Sequence, residues 1–512
     1  MLRNCSAFAH TILISINFLL ILFFIWKSRR VLSKTLQEIK WPYYVGLVGV
    51  IIILAILYSF LISPKHYIYT DEFIYEQAAI NVLTQGHFGT LMKSQGWSFL
   101  ISLGYLFGGI NNYISIYLAE ILGGAAVLCF FFLAIQTGAS QYGAFISTLI
   151  FAFLPTRIFW AATGESHTAA LFCVVLAMAF SFLFYRKYER SLFWLSLITW
   201  SFAIQVRGEN IFLLGLFFIG IWLFLPVDLR PKIPWADGLF ICTCLVIPQL
   251  ILGLKHVFVS SAQYGQIVTL SNIFHNLKYV PQFLLGEAHP FILSVIAGAG
   301  MVILWFRDRR VLLFLSLWSL LLFTFYFSML LDIYGFGETR LFHKTRIFIF
   351  FYPPLILFVS FFMGAIRLPL IGKAAVLGAV CAGIILWSIP YYNSYLLNHD
   401  HMEMQMKIID YAEHSVSQED IVVTCNPEVL TTATSVTAVS ADDFLNDQML
   451  RHNLFIHTKE RGGKILFLET LGLIITPCQN TWEIIKKRSH AIPVKTFSKR
   501  DSQFSIYLLL PF

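Results

Sequence analysis

Residues 69 to 89 read YTDEFIYEQAAINVLTQGHFG and come shortly after the apolar run YYVGLVGVIIILAILYSFLI of residues 43 to 62. As a helix, an apolar run of about 20 residues crosses the hydrocarbon core of a bilayer. The stretch after it has the spacing of a short amphipathic helix, with Thr70 as its N-cap and Asp71 and Glu72 in its first turn. The two carboxylates are therefore predicted to lie at the membrane surface.

The whole chain has the composition of a polytopic α-helical membrane protein. Of its 512 residues, 58% are hydrophobic and 12% charged, whereas an ordinary soluble domain carries about 25% charged residues. The mean hydropathy is +0.73. We expect about twelve transmembrane helices, at approximately 8–26, 41–63, 113–136, 140–160, 166–185, 191–206, 210–226, 236–254, 291–306, 311–331, 346–365 and 374–392. The first has no small-residue cleavage site and is interpreted as a retained span.

Lysine and arginine are concentrated in one set of short connections, at residues 27–40, 186–190, 230–232, 307–310 and 367–373. The positive-inside rule makes these loops cytoplasmic. The loop 64–112 and the C-terminal tail are then extracytoplasmic. The net charge of +8 follows from this topology, and we expect no nucleic-acid partner.

The composition becomes polar and alternating from His399 onward. We divide the chain into a transmembrane domain, 1–398, and a small extracytoplasmic α/β domain, 399–512. In the second, a helical segment precedes strand-like runs in IVVT, TAVSA, KILFLE, IPVKTF and FSIYLLL. Cys425 and Cys478 either pair in an oxidising compartment or remain two free thiols.

Ionisable residues near the membrane are costly, and here most gather on the predicted extracytoplasmic side. Each has a structural alternative: helix capping for the acids, snorkelling for the lysine, mutual pairing for the arginine and glutamate of VRGEN, and interface anchoring for the last cluster. Inside the apolar span 113–136, Glu120 needs a partner, for which Arg157 is a candidate. The candidate site residues are Asp71, Glu72, Lys93, Glu165, Arg207, Glu209, Arg340, His343 and Arg346.

These residue types combine acids suited to proton transfer with cations suited to holding a phosphate. The chain has no Gly-rich nucleotide loop and no GxSxG nucleophile motif. This combination favours a substrate activated by a lipid-linked phosphate over one activated by a soluble nucleotide.

Five segments, in order, resemble motifs of the GT-C glycosyltransferases, and in particular of the protein O-mannosyltransferase and aminoarabinose-transferase group. They are TDEFIYEQAAINVLTQGHFG, SQGWSFLISLGYLFGG, ATGESHTAALF, VRGENIFLLG and TRIFIFFYPPLILF. The likeness covers roughly residues 43 to 392. The family often has arginine where this chain has Glu120, and its Lys-Pro-Pro is here Lys93-Ser94-Gln95.

The resemblance implies inverting transfer of a sugar from a polyprenyl or dolichyl phosphate to an acceptor outside the cytoplasm. Asp71 would be the general base and Glu72 its neighbour in the active site. The donor phosphate would lie against Lys93, Arg340 and Arg346, and Glu165 would lie on the acceptor side. Partners would be the lipid-linked donor, a glycan, lipid or protein acceptor, and membrane lipids. No cofactor is certain, and a divalent metal stays open.

Two other functions are compatible with the sequence. A transporter or flippase of lipid-linked sugars would also have about twelve spans, but transporters place polar groups near the bilayer midplane, often in two related halves. A non-catalytic assembly partner would use the polar tail for binding.

Overall fold

The protein is described from a computed structural model. The structure describes residues 2–61, 70–88, 94–111, 113–240, 243–247, 270–279, 291–328, 349–367, 369–424, 436–468, 484–485, 491–499 and 502–510. Cys425 and Cys478 lie outside these residues.

The described chain is mostly helical. The helices up to the long one that enters the tail are Leu2–Gln37, Trp41–Leu61, Thr70–Gln85, Gly96–Gly108, Tyr113–Thr137, Gln141–Ala152, Pro155–Ala161, Ser166–Lys187, Arg190–Val206, Ile211–Phe224, Leu270–Asn276, Phe291–Arg307, Arg309–Ser328, Tyr352–Ala365 and Leu370–Ser415. Short 3₁₀ turns occur at Gly208–Asn210, Arg230–Lys232 and Leu277–Tyr279.

Six helices among the described residues are long and apolar enough to cross a membrane, or seven if one bent pair is counted as a span. These seven coincide with predicted spans, and they make the chain an integral, multi-pass membrane protein. Of the other predicted spans, four form helices of only 14 or 17 residues, and the span predicted at 236–254 lies partly outside the described residues. At 1.5 Å per residue, 17 residues extend about 25 Å, less than the ~30 Å of the hydrocarbon core.

The span predicted at 140–160 is a bent pair of helices. The chain turns by 58° between the helices Gln141–Ala152 and Pro155–Ala161. Proline has no N–H to donate to the preceding turn, so Pro155 begins a new helix. The buried guanidinium of Arg157 donates to the carbonyls of Phe151, Ala152 and Gly123 at 2.5–3.1 Å. Arg157 thus satisfies carbonyl groups that the break leaves open.

The core of the membrane part is the helix Ser166–Lys187, of whose most apolar window 89% is buried. It packs between the helices Tyr113–Thr137 and Arg190–Val206. In contrast, no residue of the window of Ile371–Ile389 is buried. An exposed apolar helix of this kind is suited to lipid contact.

The helix Tyr352–Ala365 is held by close backbone contacts on two sides. A Cβ at Gly143 would clash with the Ser360 carbonyl, and a Cβ at Gly300 with the Phe358 carbonyl. Glycine at both positions therefore lets two neighbouring helices approach the backbone of Tyr352–Ala365, as small residues do in membrane interfaces.

By its internal contacts the chain divides into two compact units. The first consists of Met1–Leu61, Ala78–Ala162 and Ser166–Tyr392, and the second of Ile62–Gln77, Thr163–Glu165 and Asn393–Phe512. Two segments from the region assigned by sequence to the transmembrane domain thus belong to the same unit as the C-terminal residues.

The C-terminal residues form five strands, β1 Ile421–Thr424, β2 Thr437–Ser440, β3 Ile465–Leu468, β4 Ala491–Lys499 and β5 Ser502–Leu509. They make one sheet in the order β2-β1-β3-β5-β4. Strands β2, β1 and β3 are parallel, while β5 is antiparallel to β3 and β4. All five arise from the runs that the sequence predicted as strands.

Helices cover both faces of this sheet. Val422 packs with Ile408 and Ala412 from the end of the long helix Leu370–Ser415. The next residue, Val423, points to the opposite face and packs with Phe444, which lies on the helix Ala441–Asn446; the helix Gln448–Glu460 follows. The alternation of neighbouring side chains along a strand produces these two apolar layers.

Candidate functional site

The stretch with the paired acids forms the helix Thr70–Gln85, and its backbone includes Asp71 in the first turn. The described helix begins at Thr70, where the sequence places its N-cap. The side chain of Asp71 lies outside the described part of the structure.

The acidic face of this helix is buried. Glu72 is 0% exposed and Glu76, one turn later, is 1% exposed. Tyr75 and Ala79 are buried on the same side, whereas Gln77 is exposed. A face that only complemented the helix dipole at the membrane surface would leave its carboxylates in water. Buried carboxylates are costly unless they are paired, and this arrangement indicates a built polar site.

Glu165 is a further buried carboxylate of the second compact unit, at 2% exposure. It occupies the turn that precedes the helix Ser166–Lys187, beside the fully buried Thr163. Glu72, Glu76 and Glu165 thus belong to one unit, although the chain between them is about 90 residues long.

In the membrane unit, the VRGEN segment forms a tight turn between two helices. The Arg207 Nε lies 3.3 Å from Glu209 Oε2, with the two side chains 15% and 33% exposed. The Asn210 side-chain amide donates to the Ala203 carbonyl at 2.8 Å and closes the preceding helix. Arg207 and Glu209 therefore pair with each other, which was the structural alternative considered for them.

The charge state of Glu209 follows from this pairing. Burial raises the pKa of the Glu209 carboxyl, but the Arg207 guanidinium, a backbone hydrogen bond and His167 together lower it more. Its pKa consequently lies below the usual 4.5. Glu209 is a fixed negative charge near neutral pH.

The VRGEN turn is fastened to the start of the helix Gly96–Gly108. The Gly208 N–H donates to Ser94 Oγ at 3.0 Å. At Gly96, an added Cβ would lie 2.6 Å from the Val206 nitrogen. Two of the motifs that resemble the family, SQGW and VRGEN, thus meet at backbone distance.

Aromatic rings surround the ion pair in the same unit. The Arg207 guanidinium lies 5.2 Å from the centroid of Phe350, and the His167 ring lies 6.4 Å from it. His167, which is buried, stacks on Trp160 at 4.5 Å. Phe350 therefore connects the segments of His167 and Arg207.

Four candidate residues, Lys93, Arg340, His343 and Arg346, lie outside the described residues. Lys93 is next in sequence to Ser94, and Arg346 is four residues before Phe350.

Glu120 and Arg157 do not form an ion pair in the described structure. The Arg157 side chain is committed to backbone carbonyls, and Glu120 Oε1 has no hydrogen-bond partner among the described residues. No group of three or more His, Cys, Asp and Glu side chains suited to a metal ion is found where the structure describes the chain.

Known proteins show what this chain is similar to. No family model matches the sequence. An uncharacterized protein of Aquifex aeolicus is 27% identical over 199 residues, which are 37% of this chain and 40% of that protein. The chain thus matches less than half the length of that relative.

Solved structures give a broader match. ArnT of Cupriavidus metallidurans, bound to undecaprenyl phosphate, aligns with a TM-score of 0.58 and 12% identity over 90% of this chain and 97% of ArnT. The Archaeoglobus fulgidus oligosaccharyltransferase in its apo form aligns with a TM-score of 0.50 and 11% identity, over 82% of this chain and 69% of that enzyme. Both are GT-C glycosyltransferases. The chain therefore has the GT-C fold, which confirms the resemblance seen in its motifs.

The sequence did not single out Trp160 or Phe350. With 50 phenylalanines in the chain, a lone aromatic residue carries no signal. Their position beside His167 and Arg207 is a product of tertiary structure.

Proposed function

We propose that this chain is a membrane glycosyltransferase that moves a sugar from a polyprenyl or dolichyl phosphate to an extracytoplasmic acceptor hydroxyl, with inversion. The GT-C fold supports this proposal because it extends over 90% of the chain. The observation that carries it is the buried acidic face of the helix Thr70–Gln85, since a membrane protein gains no stability from burying carboxylates without a polar task for them.

The proposed reaction is a single displacement. Asp71 takes the proton of the acceptor hydroxyl as that oxygen attacks the anomeric carbon. The bond from the anomeric carbon to the phosphate oxygen breaks, and polyprenyl phosphate leaves on the opposite face of the sugar. Glu72, which follows Asp71 in sequence and is buried, is assigned to the same acidic site.

The remaining candidates are assigned to the two substrates. Lys93, Arg340 and Arg346 stabilise the departing phosphate, as cations do in sites with little water. His343 lies in sequence between two of them and is assigned to the same phosphate. Glu165 is assigned to the acceptor.

Arg207 and Glu209 act indirectly in this proposal, through the segments that they position. Their ion pair keeps the guanidinium over Phe350, which precedes the helix Tyr352–Ala365. We assign the pair to positioning the chain that carries Arg346.

The test is transfer of labelled sugar from a panel of polyprenyl-phosphate donors by the purified protein. Asp71→Asn should reduce turnover by at least about 100-fold, as expected when a general base is removed. The matched control is Asp237→Asn, because Asp237 is an exposed carboxylate paired with Arg190 at 3.6 Å. Near-normal turnover in Asp71→Asn, with both variants equally well inserted in the membrane, would refute the assignment.

The same experiment separates the alternative, a transporter or flippase of lipid-linked sugars. A flippase moves the intact labelled lipid between leaflets, whereas a transferase makes a covalent bond from the label to the acceptor. The flippase would be favoured if the label stayed on the lipid with every donor tested and the labelled lipid moved between the leaflets of vesicles.

A further inference from the structure

A cavity in the described part of the membrane unit is lined by residues of its first two helices and their connection, none of which is a candidate catalytic residue. It has a volume of about 530 Å³ and lies where the first helix, Leu2–Gln37, turns into the second, Trp41–Leu61. Its lining residues are Ile25, Arg29, Leu32, Ser33, Leu36, Gln37, Ile39, Trp41 and Tyr44. We call this cavity the hairpin groove.

The groove is formed by the hairpin of the two helices. Ile25, Arg29, Leu32 and Leu36 recur at helical spacing and so share one face of the first helix. The Tyr44 hydroxyl donates to the Leu36 carbonyl and ties the second helix to that face.

The connection between the two helices is held by hydrogen bonds to the helix Gln141–Ala152. The Lys40 N–H donates to Gln141 Oε1 at 3.0 Å, and the Gln141 amide donates to the Glu38 carbonyl at 2.9 Å. Glu38 also pairs with Lys187 at 3.6 Å. These contacts hold the connection between the two helices in place.

The chemistry of the lining is amphipathic. Leu36 is 44% exposed and Trp41 74% exposed, so the groove offers apolar surface to whatever fills it. At its polar side the Arg29 guanidinium lies 4.5 Å from the Trp26 ring centroid, and Arg29 Nη1 donates to the Trp26 carbonyl at 3.2 Å. This orders the guanidinium but leaves most of its five donors available.

The charge around the groove is positive. Lys27, Arg30, Lys34 and Lys40 lie within a few residues of Arg29, whereas the nearby acid Glu38 already pairs with Lys187. A cationic group above apolar walls, at the end of two lipid-facing helices, complements a phosphodiester on acyl chains.

From this complementarity we propose that the hairpin groove binds one anionic glycerophospholipid from the leaflet at the Lys- and Arg-rich ends of these helices. The Arg29 guanidinium holds the phosphate, with Ser33 and Gln37 as further hydrogen-bonding groups. Ile25, one helical turn from Arg29 on the side of the predicted span, contacts the acyl chains. This site is separate from the proposed glycosyl transfer and does not depend on it.

The test is native mass spectrometry of the full-length protein in detergent, titrated with phosphatidylglycerol or with phosphatidylcholine in about 0.2 M ammonium acetate, where charge effects beyond ~8 Å are screened. The wild type should retain phosphatidylglycerol preferentially. Arg29→Gln should weaken that retention about five- to tenfold, as expected for a lost charge-assisted hydrogen bond.

The matched control is Arg30→Gln, which removes the same charge from the next residue, exposed but outside the groove lining. It should change retention less than about twofold. Trp41→Ala should weaken the retention of both lipids equally, because it removes only apolar surface from the groove. Equal losses in Arg29→Gln and Arg30→Gln, or equal wild-type retention of the two lipids, would overturn the proposal.

Discussion

The replacement of Gly96 by alanine tests the contact that joins the SQGW and VRGEN segments. The new Cβ would lie 2.6 Å from the Val206 nitrogen and 2.7 and 2.8 Å from the Gln205 carbonyl carbon and oxygen. All three are backbone atoms, so no side-chain rotation relieves the clash. Ordinary contact begins at 3.4 Å, so the two segments must separate by about 0.8 Å, an overpacking that costs about 1–3 kcal/mol.

The separation also strains the hydrogen bond from the Gly208 N–H to Ser94 Oγ, now 3.0 Å, whose loss costs about 1 kcal/mol. The total of about 2–4 kcal/mol should appear as a lower unfolding temperature of the protein in detergent. Because a misplacement of about 1 Å can lower turnover about 100-fold, sugar transfer should fall by about 10- to 100-fold.

Gly49→Ala is the matched control, because an added Cβ at Gly49 meets nothing within 4 Å. In the middle of the helix Trp41–Leu61 it should be neutral or stabilising by up to about 1 kcal/mol. Both assays, thermal unfolding and transfer, are run on the two variants in parallel. If Gly96→Ala and Gly49→Ala have the same unfolding temperature and the same rate of transfer, the two segments do not pack closely at Gly96 and the reasoning fails.

Three further predictions concern single side chains. Arg157→Met should destabilise the protein by about 3–5 kcal/mol, since it leaves buried carbonyls without donors; thermal unfolding beside the exposed-site control Arg310→Met checks this, and equal unfolding temperatures would contradict it. Glu209→Gln should cost about 0.5–1 kcal/mol near pH 6. Because the pKa of folded Glu209 lies below 4.5, its pairing stabilises above the unfolded pKa and is lost as the pH falls through the folded pKa; the stability gap to wild type should therefore shrink as the pH falls below about 4.5, and a gap that widens would refute this. Glu72→Gln should lower the rate of transfer strongly, while its unfolding temperature stays near that of the wild type, because it removes a carboxylate but keeps the shape of a buried side chain. An unchanged rate of transfer would show that Glu72 is not part of the site.

The long membrane helices were predictable because hydropathy and length together leave little choice. A run such as Tyr113–Thr137 contains only one charged residue, Glu120, and no break. The bend within the span predicted at 140–160 was not visible in its apolar composition, because Pro155 acts through the backbone and not through hydropathy. Runs of 14 to 17 apolar residues were counted as spans, although their length fits a buried helix of a large membrane protein equally well.

The site was predictable in part, for a different reason. Sequence identified the acids and the turn residues, because charge is conspicuous in an apolar chain. It could not tell which face of the helix Thr70–Gln85 is buried, since both the acidic face and the face with Ile74 and Val82 had a plausible environment at the membrane surface. Likewise, nothing in the sequence distances between Ser94, Gly208 and Phe350 indicates that tertiary contacts join their segments.

The composition of the second compact unit changes how the C-terminal tail can be tested. The acid-bearing segments Ile62–Gln77 and Thr163–Glu165 belong to the same unit as Asn393–Phe512. A catalytic role for Glu72 and Glu165 and a binding role for the tail would both be lost if residues 400–512 were deleted, because a compact unit without its larger part does not keep its carboxylates buried. Deletion therefore cannot separate an enzyme from an assembly partner. Point variants can, because Asp71→Asn leaves the five-stranded sheet intact; loss of transfer in that variant, with the tail folded, locates the chemistry at the acidic helix and leaves the tail as its support.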